Sequence, residues 1–547
     1  MQQSVPTAND VQATFCATLF DQWISQGLRD VVLCPGSRST PLALAAAERS
    51  ELRLHVRLDE RSAAFFAIGV SLESARPVAV IVTSGTAAAE LHAAVSEADQ
   101  AFVPLLLLTA DRPEELHGVG APQTIEQTNL FASMVRTFFE PGVPELDSFE
   151  QWRSWAQMGF STSVGPVPGP VHYNLAFREP LVGNAFELPP TIALATAPRV
   201  AAEEPVSIDA ARVLCVVGAG TSAETVRGLE KNNWVVLGDV TTPGTTSYFD
   251  PLLRSEAFRD AVKPDIVLRL GGLPASKVLQ EALRQWQVPV WGVGERFVAD
   301  PDRLIAKRVV TTPTCEAPAD VAYKSLWCEA SRRVGEWLQV SLTPTALLSE
   351  PLVAHRVSHF ANAQKTRLVV GSSMPVRDVE WWGEARREPT FSNRGVNGID
   401  GVVSTVFGVA QGGSTIGYVG DLTFLHDVSA LVEGVGSSHF SCVVVVSDNR
   451  GGGIFNFLSQ AQALAEPQFE ELFGTPRHHD IANIARAFGH HSFDVANLRE
   501  LDEAVQAGLR QLGVTVVVAH VPPRTVNVLV HDQWNKEVSD LVEDLSC

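Results

Sequence analysis

A chain of 547 residues has room for three or four domains, and its 45% apolar content is enough to give each one a core. A formal charge of −20 disfavours nucleic acid as a partner, because a phosphate backbone demands a basic footprint. No apolar run reaches the roughly 18 residues of a spanning helix, MQQSVPTANDVQATF lacks a basic stretch followed by an apolar one, and seven scattered cysteines without a C-x-x-C suggest reduced thiols in a cytoplasm.

Residues 10–27 carry the apolar spacing of an amphipathic helix, and Val31–Cys34 reads as a strand stopped by Pro35-Gly36. Ser37-Arg38-Ser39-Thr40-Pro41 then offers hydroxyls, a guanidinium and the free N–H groups of a helix start, which suits an anion grip and equally a plain helix cap. Leu52–Leu58 alternates like a strand and runs through Asp59-Glu60-Arg61 into an apolar helix, Ser62–Ser71. Glu60 therefore stands at a strand-to-helix junction, where the helix dipole commonly attracts acids for structural reasons alone. Val78–Val82 is a buried strand, and Thr83-Ser84-Gly85-Thr86 opens a helix with small side chains that admit a planar ring or another helix. Leu105–Thr109 ends near Asp111-Arg112, and Gln123 lies in the loop Gly120–Thr124. Strand-loop-helix units repeated in this way predict a parallel, doubly wound sheet.

The middle of the chain, 195–345, starts after Pro189-Pro190 and an Ala/Pro/Glu linker. Val213–Val217 leads into Gly218-Ala219-Gly220-Thr221, but Ala223 stands where a dinucleotide fingerprint has its third glycine, so no nucleotide is assigned. Asp265–Leu270 and Val288–Val293 read as further strands, with Gly271–Lys277 as a loop after the first of them.

The last part, 346–547, repeats the theme of polar residues after strands. Leu368-Val369-Val370 runs into Gly371–Arg377, which contains Ser373, and Phe391-Ser392-Asn393-Arg394-Gly395 follows. Thr415–Val419 delivers Gly420-Asp421-Leu422-Thr423 to a sheet edge; residues 424–436 read as a helix, with Leu425, Val428, Leu431, Val432 and Val435 at helical spacing. Val443–Val446 is a buried strand ending in Ser447-Asp448-Asn449-Arg450-Gly451-Gly452-Gly453-Ile454-Phe455. Both strands thus present hard oxygens at one edge, as a small divalent cation requires, although an Asx-Gly pattern alone is also what a turn looks like. Two registers are open: Asp448 with the carbonyl of Arg450, or Asn449 with that of Gly451. His426, His478, His479, His490 and His491 have no ligand spacing and read as surface or supporting residues. The expected fold is α/β, with three doubly wound parallel-sheet domains at 1–190, 195–345 and 346–547.

Gly420-Asp421 followed by an Asx pair and glycines resembles the diphosphate signature of thiamine diphosphate enzymes, whose usual form is Gly-Asp-Gly with Asn-Asn; Leu422 and Asp448 depart from it. The segments CPGSRSTPLALA (34–45), LDERSAAFFAIG (58–69), TSGTAAAELHAAVSEA (83–98), LTADRPEEL (108–116) and GPVHYNLAFREPL (169–181) are similar to one family of such enzymes. So are SSMPVRD (372–378), FSNRGVNGIDGVVST (391–405), GDLTFLHD (420–427) and GGGIF (451–455). That family is the 2-succinyl-5-enolpyruvyl-6-hydroxy-3-cyclohexene-1-carboxylate synthases of menaquinone biosynthesis; the likeness covers both ends of the chain and fades in the middle.

The resemblance implies a transferase that joins 2-oxoglutarate to isochorismate with loss of carbon dioxide. It also implies thiamine diphosphate with Mg²⁺, for which Mn²⁺ substitutes, in a homodimer or homotetramer whose active sites lie at subunit interfaces. Glu60 would hydrogen-bond the aminopyrimidine, Ile399 would be an apolar wedge beneath the rings, and Ser84, Gly85, Ser373, Gly420, Asp421, Leu422, Thr423, Gly451 and Ile454 would surround the cofactor. The metal would draw on Asp421 together with Asp448, Asn449, Arg450 and Gly451. Ser37, Arg38, Arg112, Gln123, Lys277, Ser373, Arg377 and Arg394 would grip the dianionic substrates, with Ile454 and Phe455 walling the pocket; the family often has an Arg beside the lysine, where this chain has Val278. The competing expectations are an acetohydroxy-acid synthase, a 2-oxo-acid decarboxylase, or a catalytically dead homologue serving as a binding subunit. The many arginines argue against a small neutral acceptor, and retention of Glu60 and Asp421 argues against a dead homologue.

Overall fold

A computed structural model describes residues 6–192, 206–242, 244–294, 298–436 and 439–546, so the linker expected after Pro190 falls almost wholly outside the described residues. The chain divides into two compact units. One comprises Met1–Arg199, Asn393–Gly412 and Asp427–His439; the other comprises Val200–Ser392, Gly413–His426 and Phe440–Cys547.

The first unit is built on a six-stranded parallel sheet in the order Arg53–Val56, Asp30–Leu33, Val78–Val82, Leu105–Asp111, Val171–Ala176, Phe138–Phe139. Its central strands are continuous apolar runs because both of their faces are buried. Helices Ala8–Gln26 and Trp152–Ser163 bring Phe15, Leu19, Trp23 and Trp152 into one core with Val31, Ile81, Leu106 and Leu108. Helix Glu60–Ser74 begins where Asp59 accepts a hydrogen bond from Ser62 N at 3.0 Å, two residues earlier than the apolar run suggested.

Helix Glu60–Ser74 packs on Val402–Val409 so closely that glycine is needed on both sides. A Cβ on Gly408 would lie 2.1 Å from the Phe66 carbonyl oxygen, and one on Gly69 would lie 2.2 Å from that of Thr405. Ser62 Oγ and Ser404 Oγ share a hydrogen bond of 2.7 Å across the same crossing.

Besides a two-stranded sheet that pairs Thr314–Cys315 with Ser207–Ile208, the second unit carries two larger parallel sheets. One runs Ile305–Val309, Val290–Val293, Ile266–Leu270, Val213–Val217, Val235–Gly238. The other runs Thr390–Phe391, Arg367–Val370, Thr415–Gly420, Ser441–Asp448, Gly513–His520, His491–Val495. Numbered by appearance in the chain, the strands of the first and last sheets share one order, 2-1-3-4-6-5. The order reverses between strands 1 and 3, and ligands of open α/β sheets bind at the carboxyl ends of the strands flanking such a reversal.

Residues 424–436 do not form the expected single helix. A helix spans Asp421–His426, a 3₁₀ turn spans Val428–Val432, and Gly434 and Gly436 follow with positive φ. Asp427 interrupts the helix: its buried carboxylate accepts from Ser404 N at 2.6 Å and from Ser404 Oγ at 2.9 Å. The apolar spacing survives the break, which is why periodicity alone reads through it.

Candidate functional site

In the first unit, polar groups gather at the carboxyl edge of the sheet. Gly85, at φ 82° and ψ −137°, heads the short helix Thr86–Ala89, and its N–H donates to Gln127 Oε1 at 3.0 Å. Ser84 Oγ donates to the Gln123 carbonyl at 3.0 Å and Gln123 Nε2 donates back to the Ser84 carbonyl at 3.1 Å, so the Gln123 loop clasps the turn. Arg112 Nη1 reaches the same Gln123 carbonyl at 2.8 Å and also contacts Ser84 Oγ. Arg38 is buried, donating to the Phe177 carbonyl at 2.9 Å and pairing with Glu179 at 3.2 Å. Partial burial lowers the Arg112 pKa, and the neighbouring Arg38 charge lowers it further. Two guanidiniums that repel one another in this way fit a carboxylate-bearing ligand. Ser37 is exposed, and its carbonyl accepts from Thr40 N at 3.1 Å, so it helps start the helix there.

Glu60 is half-buried; burial pushes its carboxyl up, with Asp59 and Glu90 adding repulsion. The Asn393–Gly412 segment of this unit contains Arg394 and the half-buried Ile399. Glu97, only 2% exposed, anchors that segment by accepting from Gly395 N at 2.7 Å and Val396 N at 2.8 Å, and the Arg394 charge bears on it. Behind the edge, Asn174 ties the parts together: it accepts from Gln127 Nε2 at 2.8 Å and donates to Asp111 at 2.9 Å and Glu140 at 2.7 Å. Asp111 in turn accepts from Arg112 N at 2.7 Å.

The second unit gathers carboxylates. Asp421, 3% exposed, follows strand Thr415–Gly420 directly and accepts from Leu422 N at 2.7 Å, with the Gly451 N–H as a further donor. Burial pushes its carboxyl up to about 7, with Asp448 repulsion adding to the effect. Asn449 Oδ1 accepts from Gly451 N at 3.1 Å, and its Nδ2 donates to Glu350 Oε1 at 2.6 Å. Asp448 turns elsewhere: it accepts from Arg450 N at 3.1 Å and pairs with His520 at 3.3 Å. The Arg450 carbonyl is held by the Arg524 guanidinium, which also pairs with Glu470. Gly451 has to be glycine, since a Cβ would meet Arg524 Nη1 and the Gly474 carbonyl at 2.2 Å.

Ser373 heads helix Met374–Trp382 at φ 73° and ψ −131°, the backbone geometry of Gly85 but here carried by a residue with a side chain, which is a strained arrangement. Its carbonyl accepts from Arg377 Nη1 at 2.5 Å. Thr423 is buried, Leu422 half-buried, and a Cβ on Gly420 would meet open space. Ile454 packs on the apolar core, and Phe455 sits with its ring 5.4 Å from that of Phe473. Lys277 is exposed as the first residue of helix Lys277–Trp286, in a loop fastened by Ala275 N to Glu380 at 2.8 Å.

Among the described residues no three His, Cys, Asp or Glu side chains are placed to hold a metal together, so a cation here would need amide and carbonyl oxygens as well. Asp421, Asn449 and the glycine turn supply that hard-oxygen donor set, and the mutual repulsion of Asp421 and Asp448 is what a divalent cation relieves. Glu97, Asn174 and Glu350 escaped the sequence reading. No ligand or catalytic motif marks any of them, and what makes each matter is a partner distant in the chain.

Family comparisons cover both of these sheets. Residues 14–130 match the thiamine pyrophosphate enzyme N-terminal TPP binding domain, and residues 385–519 match the corresponding C-terminal TPP binding domain. The fold and these two matches define a thiamine pyrophosphate enzyme.

Among curated relatives, the 2-succinyl-5-enolpyruvyl-6-hydroxy-3-cyclohexene-1-carboxylate synthase of Geobacillus kaustophilus is 34% identical over 98% of this chain and 100% of its own length. The protein of that name from Thermosynechococcus vestitus is 36% identical over 88% of this chain and 90% of its own. The one from Thermobifida fusca is 37% identical over 86% and 89%. The chain belongs to this family of synthases.

Proposed function

We propose that the chain catalyses the thiamine diphosphate- and Mg²⁺-dependent decarboxylation of 2-oxoglutarate and the addition of the resulting succinyl unit to isochorismate. The product is 2-succinyl-5-enolpyruvyl-6-hydroxy-3-cyclohexene-1-carboxylate, on the way to menaquinone. The observation that carries this reading is a likeness to synthases of that name which spans both sheet edges and nearly the full chain.

Bound thiamine diphosphate supplies the nucleophilic carbon and the electron sink for loss of carbon dioxide. Burial moves the Glu60 carboxyl toward neutrality, which fits it to share a proton with a weakly basic ring nitrogen. Asp421, Asn449 and the Gly451 carbonyl would hold Mg²⁺, or Mn²⁺ in its place. This register is favoured because Asp448 is drawn to His520 and the Arg450 carbonyl to Arg524, while Asp421 and Asn449 both bear on the Gly451 N–H. Ser84, Gly85, Ser373, Gly420, Leu422 and Thr423 would line the cofactor, with Ile399 as the wedge beneath it. Arg38, Arg112, Arg377, Arg394 and Lys277, aided by Ser37, Gln123 and Ser373, would take substrate carboxylates, bidentately where a guanidinium fork allows. Ile454 and Phe455 would keep water from the reacting carbon.

The assembly we infer is a cytoplasmic homodimer or homotetramer with active sites at subunit interfaces. Each chain would carry three domains, 1–190, 195–345 and 346–547, a reading supported by one five- or six-stranded parallel sheet in each stretch. The test is to incubate the protein with thiamine diphosphate, Mg²⁺ and 2-oxoglutarate, with and without isochorismate, and to identify products by mass. The expected adduct appears only with isochorismate. Succinic semialdehyde whether or not the acceptor is present would point to a simple decarboxylase, and no turnover to a binding subunit.

A further inference from the structure

We propose that Glu350 is the positioning residue of the cation site: it holds the Asn449 carboxamide so that the amide oxygen, not its NH₂, faces the Gly451 turn and Asp421. This rests on the reading of Asp421 and Asn449 as cation ligands.

Glu350 is the first residue of helix Glu350–Ala363 and is 2% exposed. Burying a carboxylate is costly unless it is hydrogen-bonded and compensated, and among the described residues no Lys or Arg forms an ion pair with this one. Its Oε1 instead receives Asn449 Nδ2 at 2.6 Å, from a residue 99 positions away in the chain.

The two ends of the Asn449 amide are matched to opposite partners. A backbone N–H only donates, which fixes the oxygen end at Gly451, and an unprotonated carboxyl oxygen such as Glu350 Oε1 only accepts. Nδ2 meets the carboxylate, and Oδ1 meets Gly451 N at 3.1 Å. A flipped amide would set oxygen against oxygen and N–H against N–H, so its orientation is decided by chemistry. Gly453 leaves room for the contact, since a Cβ there would fall 2.4 Å from Asn449 Nδ2 and 3.6 Å from Glu350 Oε1. An amide can ligate a hard cation only through its oxygen. Without Glu350 the carboxamide loses the partner that keeps its nitrogen turned away.

The test titrates Mg²⁺ by calorimetry into the full-length protein saturated with thiamine diphosphate. Glu350→Leu is expected to weaken Mg²⁺ binding about 10–100-fold, the usual consequence of removing the partner that orients a ligand; if that variant does not fold, Glu350→Ala is read the same way. Glu350→Gln, whose amide oxygen still accepts from Asn449 Nδ2, is expected to bind within about threefold of the parent, well under the cost of losing the hydrogen bond. Adding Glu350→Leu to Asn449→Ala is expected to cost nothing more than Asn449→Ala alone, because the two act as one unit. A folded Glu350→Leu protein with parental affinity overturns the proposal. So does a Gln variant as impaired as Leu, or a double variant in which the losses add. Asp421→Ala separates the two levels: parental affinity in that variant would mean the cation reading itself has failed, whereas a loss there with none in Glu350→Leu sinks the positioning role alone.

Discussion

The first and last sheets of this chain are wound identically yet present opposite chemistry at their carboxyl edges. Strands 1 and 3 of the first sheet lead to Ser37-Arg38 and Ser84-Gly85, a hydroxyl and guanidinium edge. Strands 1 and 3 of the last lead to Ser372-Ser373 and Asp421, an edge of hydroxyls and carboxylate. Strand 4 ends in an aspartate in both, but the two residues are used differently. Asp111 is spent internally, on Asn174 and the Arg112 N–H, and so fixes its neighbour in place. Asp448 pairs with His520 and leaves its charge to bear on Asp421. Topology therefore chooses where polar residues stand at a sheet edge, while the partners that claim their lone pairs set the chemistry each one is left with.

If the first edge does the acid–base work, Glu60→Gln should lower kcat by about 10²–10⁴ while leaving cofactor affinity near that of the parent. Near-normal turnover of 2-oxoglutarate with isochorismate would erase the contrast. If the last edge is the cation half, Asp421→Ala should instead weaken Mg²⁺ affinity by about a hundredfold or more, beyond the usual cost of losing an outer partner; unchanged binding by calorimetry would break the comparison from that side. Arg394→Ala sharpens it further. Loss of a charge-assisted hydrogen bond of about 1.5–3 kcal/mol should raise KM for one dianionic substrate roughly 10–100-fold, whereas a purely structural arginine would lower Tm and leave KM alone.

The smallest effect is on stability. Burial holds the Asp427 carboxyl at about 6, above its ordinary value near 3.8. Between those two pH values the folded chain binds the proton that the unfolded chain has released, so the contribution of Asp427 to stability rises as pH falls from about 7 to 4. Thermal unfolding of the parent and Asp427→Asn across that range should show the parent gaining on the variant by up to about 3 kcal/mol. A flat difference would mean the group does not titrate in that window.

Much of this architecture is visible in the sequence. Val78–Val82 and Val443–Val446 read as strands because parallel strands buried on both faces need unbroken apolar runs. Residues just past a strand are legible because the chain keeps them where the strand leaves them, as with Asp421 after Thr415–Gly420. The helix expected over 424–436 failed for a reason that no local pattern records: Asp427 is claimed by Ser404, 23 positions earlier. Glu97 was invisible in the same way, its partner Gly395 lying 298 positions away. Periodicity reports which face is apolar, and it is silent on which distant N–H a buried carboxylate will find.

The crossing of Gly69 over Gly408 has a consequence for how this protein is made. The flank of helix Glu60–Ser74 that carries Gly69 and Phe65 is covered by a segment synthesised more than three hundred residues later, in which Gly401 meets the Phe65 ring and Gly408 the Phe66 carbonyl. At ribosomal speeds of about 5–20 residues per second, that flank waits on the order of tens of seconds for its cover. A nascent chain halted before residue 393 lacks that cover, although His55 and Arg57 already pack on the Phe66 ring.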